Sequence, residues 1–125
     1  MPHLPYSIEL HDSKLEAIVS ADGAAILKLR PAYVHRNGKG WVQSADIRVG
    51  TAQVDLGGAA LPANLADGRI TNEGGPYHNL LDLPLKISGP VVVTLELFSD
   101  EVIRVAGIHA EVVLYGEPEF VEDVA

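Results

Sequence analysis

Lys14-Leu15-Glu16-Ala17-Ile18-Val19-Ser20-Ala21-Asp22-Gly23-Ala24-Ala25-Ile26-Leu27-Lys28-Leu29-Arg30 is the stretch that decides the fold class. Side chains on an extended chain alternate between two faces, so a half-buried strand shows an apolar residue at every second place. The first arm puts Leu15, Ala17 and Val19 on one face, with Lys14, Glu16, Ile18 and Ser20 on the other. The second arm, running on to His35, sets Leu27 and Leu29 against Lys28 and Arg30. Between them stands Asp22-Gly23, a two-residue hairpin signal, because glycine accepts the positive φ that such a turn needs. Pro31 cannot donate a ladder hydrogen bond, so the second strand is expected to be bulged or at an edge there.

The same pattern continues toward the C-terminus. Asn37-Gly38-Lys39-Gly40 closes the next turn. Trp41 to Val49 turns Ala45, Ile47 and Val49 inward and Ser44, Asp46 and Arg48 outward. A bulge or corner at Gly50 accounts for the change of phase to Ala52, Val54 and Leu56. Leu81, Leu83, Leu85 and Ile87 alternate with Asp82, Pro84 and Lys86, and Pro84 reads as an unpaired edge position. Ser88-Gly89-Pro90 is expected to turn the chain, followed by the inward row Val91, Val93, Leu95 and Leu97. Ser99-Asp100 is a tight turn. Ile103 and Val105 form a short strand broken by Gly107, and Ile108, Ala110, Val112 and Leu114 form the last apolar row.

These turn signals and one-sided strands predict an all-β, single-domain antiparallel β-sandwich of about seven to nine strands, with a small β-barrel as the alternative. Two segments depart from the pattern. Residues 57–79 are rich in glycine and proline and read as an irregular loop, in which only Asp67 to Thr71 could form a short strand. Residues 117–125 read as an acidic C-terminal tail carrying Glu117, Glu119, Glu122 and Asp123.

Composition narrows the partners. Of the 125 residues, 39 are Val, Ile, Leu or Phe, enough for a packed core and too many for a disordered chain. Cysteine is absent, so no disulfide framework supports the fold. Nine basic against seventeen acidic residues give a net charge of −8, and the basic ones are scattered singly. Nucleic acid and anionic membrane surfaces are therefore not expected as partners, since both need clustered Lys and Arg. The opening Met1-Pro2-His3-Leu4-Pro5-Tyr6 lacks a basic and then apolar leader, so a cytoplasmic location is expected.

Candidate chemistry is sparse. His3, His11, His35, His78 and His109 show no close metal-ligand spacing, so no metal and no cofactor are expected. His11-Asp12-Ser13 holds the residue types of a hydrolase triad. Neighbours on an extended chain point to opposite sides, however, which suits a turn held by Asp12 and Ser13 better than a proton relay. Glu96 and Glu111 lie on outward faces. Tyr33, His35, Trp41, Tyr77 and His78 could line a shallow ligand site if their loops share one end of the fold, with aromatic faces suited to a sugar or a peptide.

The segment Glu9-Leu10-His11-Asp12-Ser13-Lys14-Leu15-Glu16-Ala17-Ile18 resembles the opening of small uncharacterised bacterial β-rich proteins, some of them similar to immunity proteins of toxin systems. The resemblance covers about ten residues. It implies a non-enzymatic cytoplasmic module and assigns no catalytic residue.

Three functions follow as expectations. The first is a non-catalytic binding or protein-interaction module, whose acidity would steer it to a basic partner. The second is a small-ligand or carbohydrate-binding β-sandwich. The third is a hydrolase using His11 or His78 with an Asp or Glu, which requires the two to converge from different strands. Apolar residues on outward parity (Ile18, Val34, Val92 and Val113) also point to a homodimer.

Overall fold

The computed structural model describes residues 6–36, 38–73 and 75–123. Ten strands follow one another: β1 (Tyr6–Glu9), β2 (Lys14–Ala21), β3 (Ala24–Arg36), β4 (Lys39–Gly50), β5 (Gln53–Asp55), β6 (Ala63–Asn72), β7 (Gly75–His78), β8 (Leu80–Leu83), β9 (Lys86–Leu97) and β10 (Val102–Asp123). A single 3-10 turn, Leu10–Asp12, joins β1 to β2. The described residues contain no α-helix, and so none long and apolar enough to cross a membrane.

The all-β antiparallel expectation holds. All ten strands belong to one hydrogen-bonded sheet, ordered β2-β6-β9-β10-β4-β3-β1-β8, with β5 on β10 and β7 on β6. β2 also pairs with β3, so six strands form a circuit, which closes only partly: β2 meets β6 through Lys14↔Asn64 and Leu15↔Ala63 alone. The sheet thus wraps its own apolar face. Leu15, Leu27, Leu29, Ile47, Leu65, Ile70, Leu95 and Ile103 meet inside it, shielded from solvent. Each such side chain contributes roughly 1.5–3 kcal/mol by leaving water.

The hairpin at Asp22-Gly23 forms as read, with Ala21 opposite Ala24 and both turn residues at positive φ. Pro31 lies in a bulge, where three steps from Leu29 to Ala32 face two from Ala45 to Gln43. That bulge divides β3, whose first half takes β2 and whose second half takes β1. Pro84 is exposed in the gap between β8 and β9.

Bulges also explain where the period-2 reading misplaced residues. Leu15↔Leu29 is followed by Ala17↔Lys28, so Glu16 is an extra residue in β2. The phase inverts after it: Ile18 packs on the core, and Val19 is exposed. Val34 is buried as well. Two of the four residues behind the homodimer expectation therefore belong to the protein's own interior.

Ser88-Gly89-Pro90 does not turn the chain. β9 runs through it with one extra residue, three steps from Ser88 to Val91 facing two from His109 to Gly107. Gly89, at φ +102°, supplies the backbone freedom. Gly107 likewise does not end a strand. It lets β10 pass close to β4, where a Cβ would lie 2.4 Å from the Gly50 carbonyl oxygen. Ile108, expected inward, is 53% exposed.

The supposed loop is mostly strand. β6 spans ten residues and forms a hairpin with β7, from Asn72↔Gly75 to Arg69↔His78. Its own bulge, Leu65↔Leu97 followed by Asp67↔Glu96, separates the buried Leu65 and Ile70 by five residues and hides the alternation. Among the described residues of that segment, the long irregular run is 56–62. The acidic terminus is strand too over its described residues, 117–123. Glu119↔Val42, Phe120↔Trp41, Glu122↔Gly40 and Asp123↔Lys39 continue the β10–β4 ladder past a shift at Tyr115/Glu119. His3 and Asn37, invoked above for metal binding and a turn, lie outside the described residues.

Candidate functional site

The five residues proposed to line one ligand site fall into three places. On β3, Tyr33 and His35 share a face, their rings edge-on at 5.2 Å. Trp41 is opposite Val34, so it projects from the other face of the sheet. Tyr77 and His78 lie on β7, where His78 Nε2 is 3.0 Å from Asp67 Oδ2. That imidazole hydrogen bond is the leading reason the Asp67 carboxyl is held below its ordinary value; burial opposes it less strongly, and the Gly68 N–H adds a still smaller lowering.

Trp41 belongs to a groove that the alternation does not reveal. Register places Arg36 opposite Lys39 and Phe120 opposite Trp41, so β3, β4 and β10 present these side chains together. They line a depression of about 370 Å³. The Trp41 and Phe120 rings meet edge-on at 5.4 Å. The Arg36 guanidinium lies 4.9 Å over the Tyr6 ring and 5.7 Å over Trp41. Lys39 Nζ is 5.5 Å over Phe120 and 3.6 Å from Asp123. Among the described residues no carboxylate pairs with Arg36, and the buried Trp41 indole N–H has no acceptor. The signal available in the sequence was Arg36 and Lys39 bracketing a turn two residues before the only tryptophan. Phe120 gives no such signal, because the acidic run around it reads as a tail.

The other face carries acids and imidazoles. Tyr33 packs over Gly40, where any Cβ would collide with its ring, and donates from its hydroxyl to Glu122 Oε2 at 2.6 Å. His35 Nε2 is 2.7 Å from Glu9 Oε1. Glu9 Oε2 is 3.5 Å from His11 Nδ1, which is 3.2 Å from Asp12 Oδ1. A shallow depression of about 250 Å³ beside them is lined by His11, Asp12, Ser13, Asn64 and Phe98.

The expected separation of His11 and Asp12 assumed an extended chain. The 3-10 turn replaces it and brings both onto the side of Glu9, while Leu10, between Glu9 and His11, is buried as an anchor. Asn79, at φ +65°, holds the turn: its carbonyl accepts from the Leu10 N–H and its side-chain oxygen from the His11 N–H, both at 2.8 Å. Of the two histidines named for a hydrolase, His78 on β7 meets Asp67 on β6 at 3.0 Å, and His11 meets Glu9 and Asp12. Ser13 is not free to attack. Its hydroxyl donates to the Glu9 carbonyl at 2.7 Å and accepts from the Tyr33 N–H at 2.9 Å, fully indoors, as the turn-shaping role predicts.

Tyr33 has a measurable signature. Its phenol is pushed up to about 12, first by burial, then by the hydrogen bond to Glu122 and the negative charges of Glu122, Asp12 and Glu9. The folded value lies above the unfolded one of about 10, so burying the neutral phenol stabilises fully below pH ~10. That contribution is lost as pH rises through about 12. An ultraviolet titration should show one phenol ionising near pH 12, and Glu122→Gln should bring that step down toward the ordinary range. An unmoved step would remove Glu122 as a cause.

Comparison with known proteins finds no matching family model, no matching curated protein and no matching solved structure.

Proposed function

We propose that this protein is a non-catalytic binding module whose groove at Arg36, Lys39, Trp41 and Phe120 takes a small anionic ligand bearing a flat apolar group. The observation that carries this reading is Arg36. Its guanidinium is held against two aromatic rings, Tyr6 and Trp41, with no carboxylate partner among the described residues. In a chain of net charge −8, an unneutralised planar cation beside a second cation favours a carboxylate or phosphate. The rings of Trp41 and Phe120 supply the apolar wall, and the volume of about 370 Å³ lies within the range of small-molecule sites.

A neutral sugar suits the groove less well. Stacking on a sugar needs an open aromatic face, whereas Arg36 already lies over the indole of Trp41 and Phe120 meets it edge-on. Steering to a basic partner by a free acidic tail also loses support, because Glu122 is bonded to Tyr33 and Asp123 pairs with Lys39.

Trp41 is the sole tryptophan, so its fluorescence reports the groove directly. Phenyl phosphate and benzoate should change its emission saturably, with weaker affinity at higher salt. Arg36→Ala should weaken that binding at least roughly tenfold, as expected for loss of a charge-assisted hydrogen bond worth about 1.5–3 kcal/mol. Benzyl alcohol and glucose should give no comparable response. Equal responses to charged and uncharged probes, or none to any, would refute the reading.

A further inference from the structure

We propose that Glu9, His11 and Asp12 form a binding site for one divalent first-row transition ion, zinc being the representative case. The site stands on the face opposite the groove and uses none of its residues, so it is independent of the ligand reading above.

The donor geometry is the starting point. Zinc bonds of about 2.0–2.2 Å place neighbouring ligand atoms of a tetrahedron about 3.3–3.6 Å apart. Glu9 Oε2 and His11 Nδ1 are 3.5 Å apart, and His11 Nδ1 and Asp12 Oδ1 are 3.2 Å apart. The three atoms all lie within 4.8 Å of one another, so a single ion can reach them with small side-chain rotations. One imidazole nitrogen and two carboxylate oxygens suit zinc, cobalt or manganese. The absence of cysteine argues against copper(I), and the imidazole argues against calcium or magnesium, which prefer oxygen throughout.

Surrounding groups hold these donors in place. The second oxygen of Glu9 is bonded to His35 at 2.7 Å, the outer-sphere arrangement that orients a metal-binding carboxylate. The backbone beneath His11 is fixed by Asn79, and that beneath Glu9 by Ser13. Leu10, buried between the ligands, ties the turn to the core. His11 and Asp12 are half exposed, so an ion has a path in. Three protein ligands leave a fourth position for water or a small anion. The depression beside His11 and Asp12, bounded by Asn64 and Phe98, gives it room. Binding requires the lone pair of His11 Nδ1, so any proton held there between the two carboxylates is released to solvent as the ion enters.

Calorimetric titration of the full chain with zinc chloride should show one saturable site. Cobalt(II) should give visible absorption bands of a low-coordinate nitrogen–oxygen site, bleached by added zinc. His11→Ala and Asp12→Asn alter exposed side chains, and circular dichroism would verify that both fold. Each should weaken zinc binding tenfold or more. His35→Gln should weaken it by about 10–100-fold through the outer sphere, and His78→Ala should leave it unchanged. No saturable binding at millimolar zinc would overturn the proposal. So would His11→Ala and Asp12→Asn variants that bind as tightly as the parent, or dependence on His78 instead.

Discussion

Replacing Leu65 by alanine should destabilise the protein by about 2–5 kcal/mol, the range for emptying a buried leucine site. Leu65 has no exposed surface and packs in the core from β6, opposite Leu97 on β9. A substitution in an ordinary surface loop stays within about 0.5 kcal/mol, so the variant separates the observed strand from the glycine-rich loop that the sequence suggests. Thermal unfolding should move down by roughly 10 °C or more for a chain of this size. The cavity left behind cannot collapse easily, because Gly68 brings β6 so close to Leu10 and Leu95 that even a Cβ there would clash. A change in the midpoint of only a degree or two would contradict the placement of β6.

Arg30→Met should cost about 3 kcal/mol, and Asp46→Leu added to it should recover most of the loss. Asp46 was expected to face solvent between Ala45 and Ile47, yet it is 4% exposed. Arg30 covers it, with Nη2 donating to Asp46 Oδ1 at 2.9 Å and Nη1 donating to the carbonyls of Leu29 and Ala45. Removing one member of a buried pair strands the other and typically costs about 3–5 kcal/mol, whereas replacing both with apolar groups is often neutral. The lower end applies here, because Arg30 keeps 29% of its side chain exposed and Lys28 lies directly opposite Asp46. Chemical denaturation of the two single variants and the double variant completes the cycle. Additive losses would show that Arg30 and Asp46 are not coupled.

The same two cases mark how far the sequence could be read. Alternation found the inward rows Ala45-Ile47-Val49 and Val91-Val93-Leu95-Leu97, because uninterrupted pairing keeps each apolar residue two places from the next. It failed at Glu16, Ala66 and the Gly89-Pro90 step, because one extra residue inverts every position beyond it while leaving composition unchanged. It also read Gly107 as an end of strand, although that glycine lets β10 pass close beside β4.

The site was less legible than the fold. Trp41 was singled out, but Arg36, Lys39 and Phe120 join it only through the registers of β3 with β4 and of β4 with β10. Glu9, His11 and Asp12 are near neighbours in the chain, but on an extended backbone His11 and Asp12 would point to opposite sides, so the sequence does not bring the three together. Asn79, far away in sequence, is the residue that bends the segment by binding two of its N–H groups.

By itself the sequence determined that this chain forms antiparallel strands around one apolar interior, because side-chain alternation and turn chemistry are local properties, readable within a few residues. Only the tertiary structure decided which strands adjoin, where bulges shift the phase, and which polar groups stand together. Register is set by how the whole sheet packs, and a single inserted residue moves every later side chain to the opposite face.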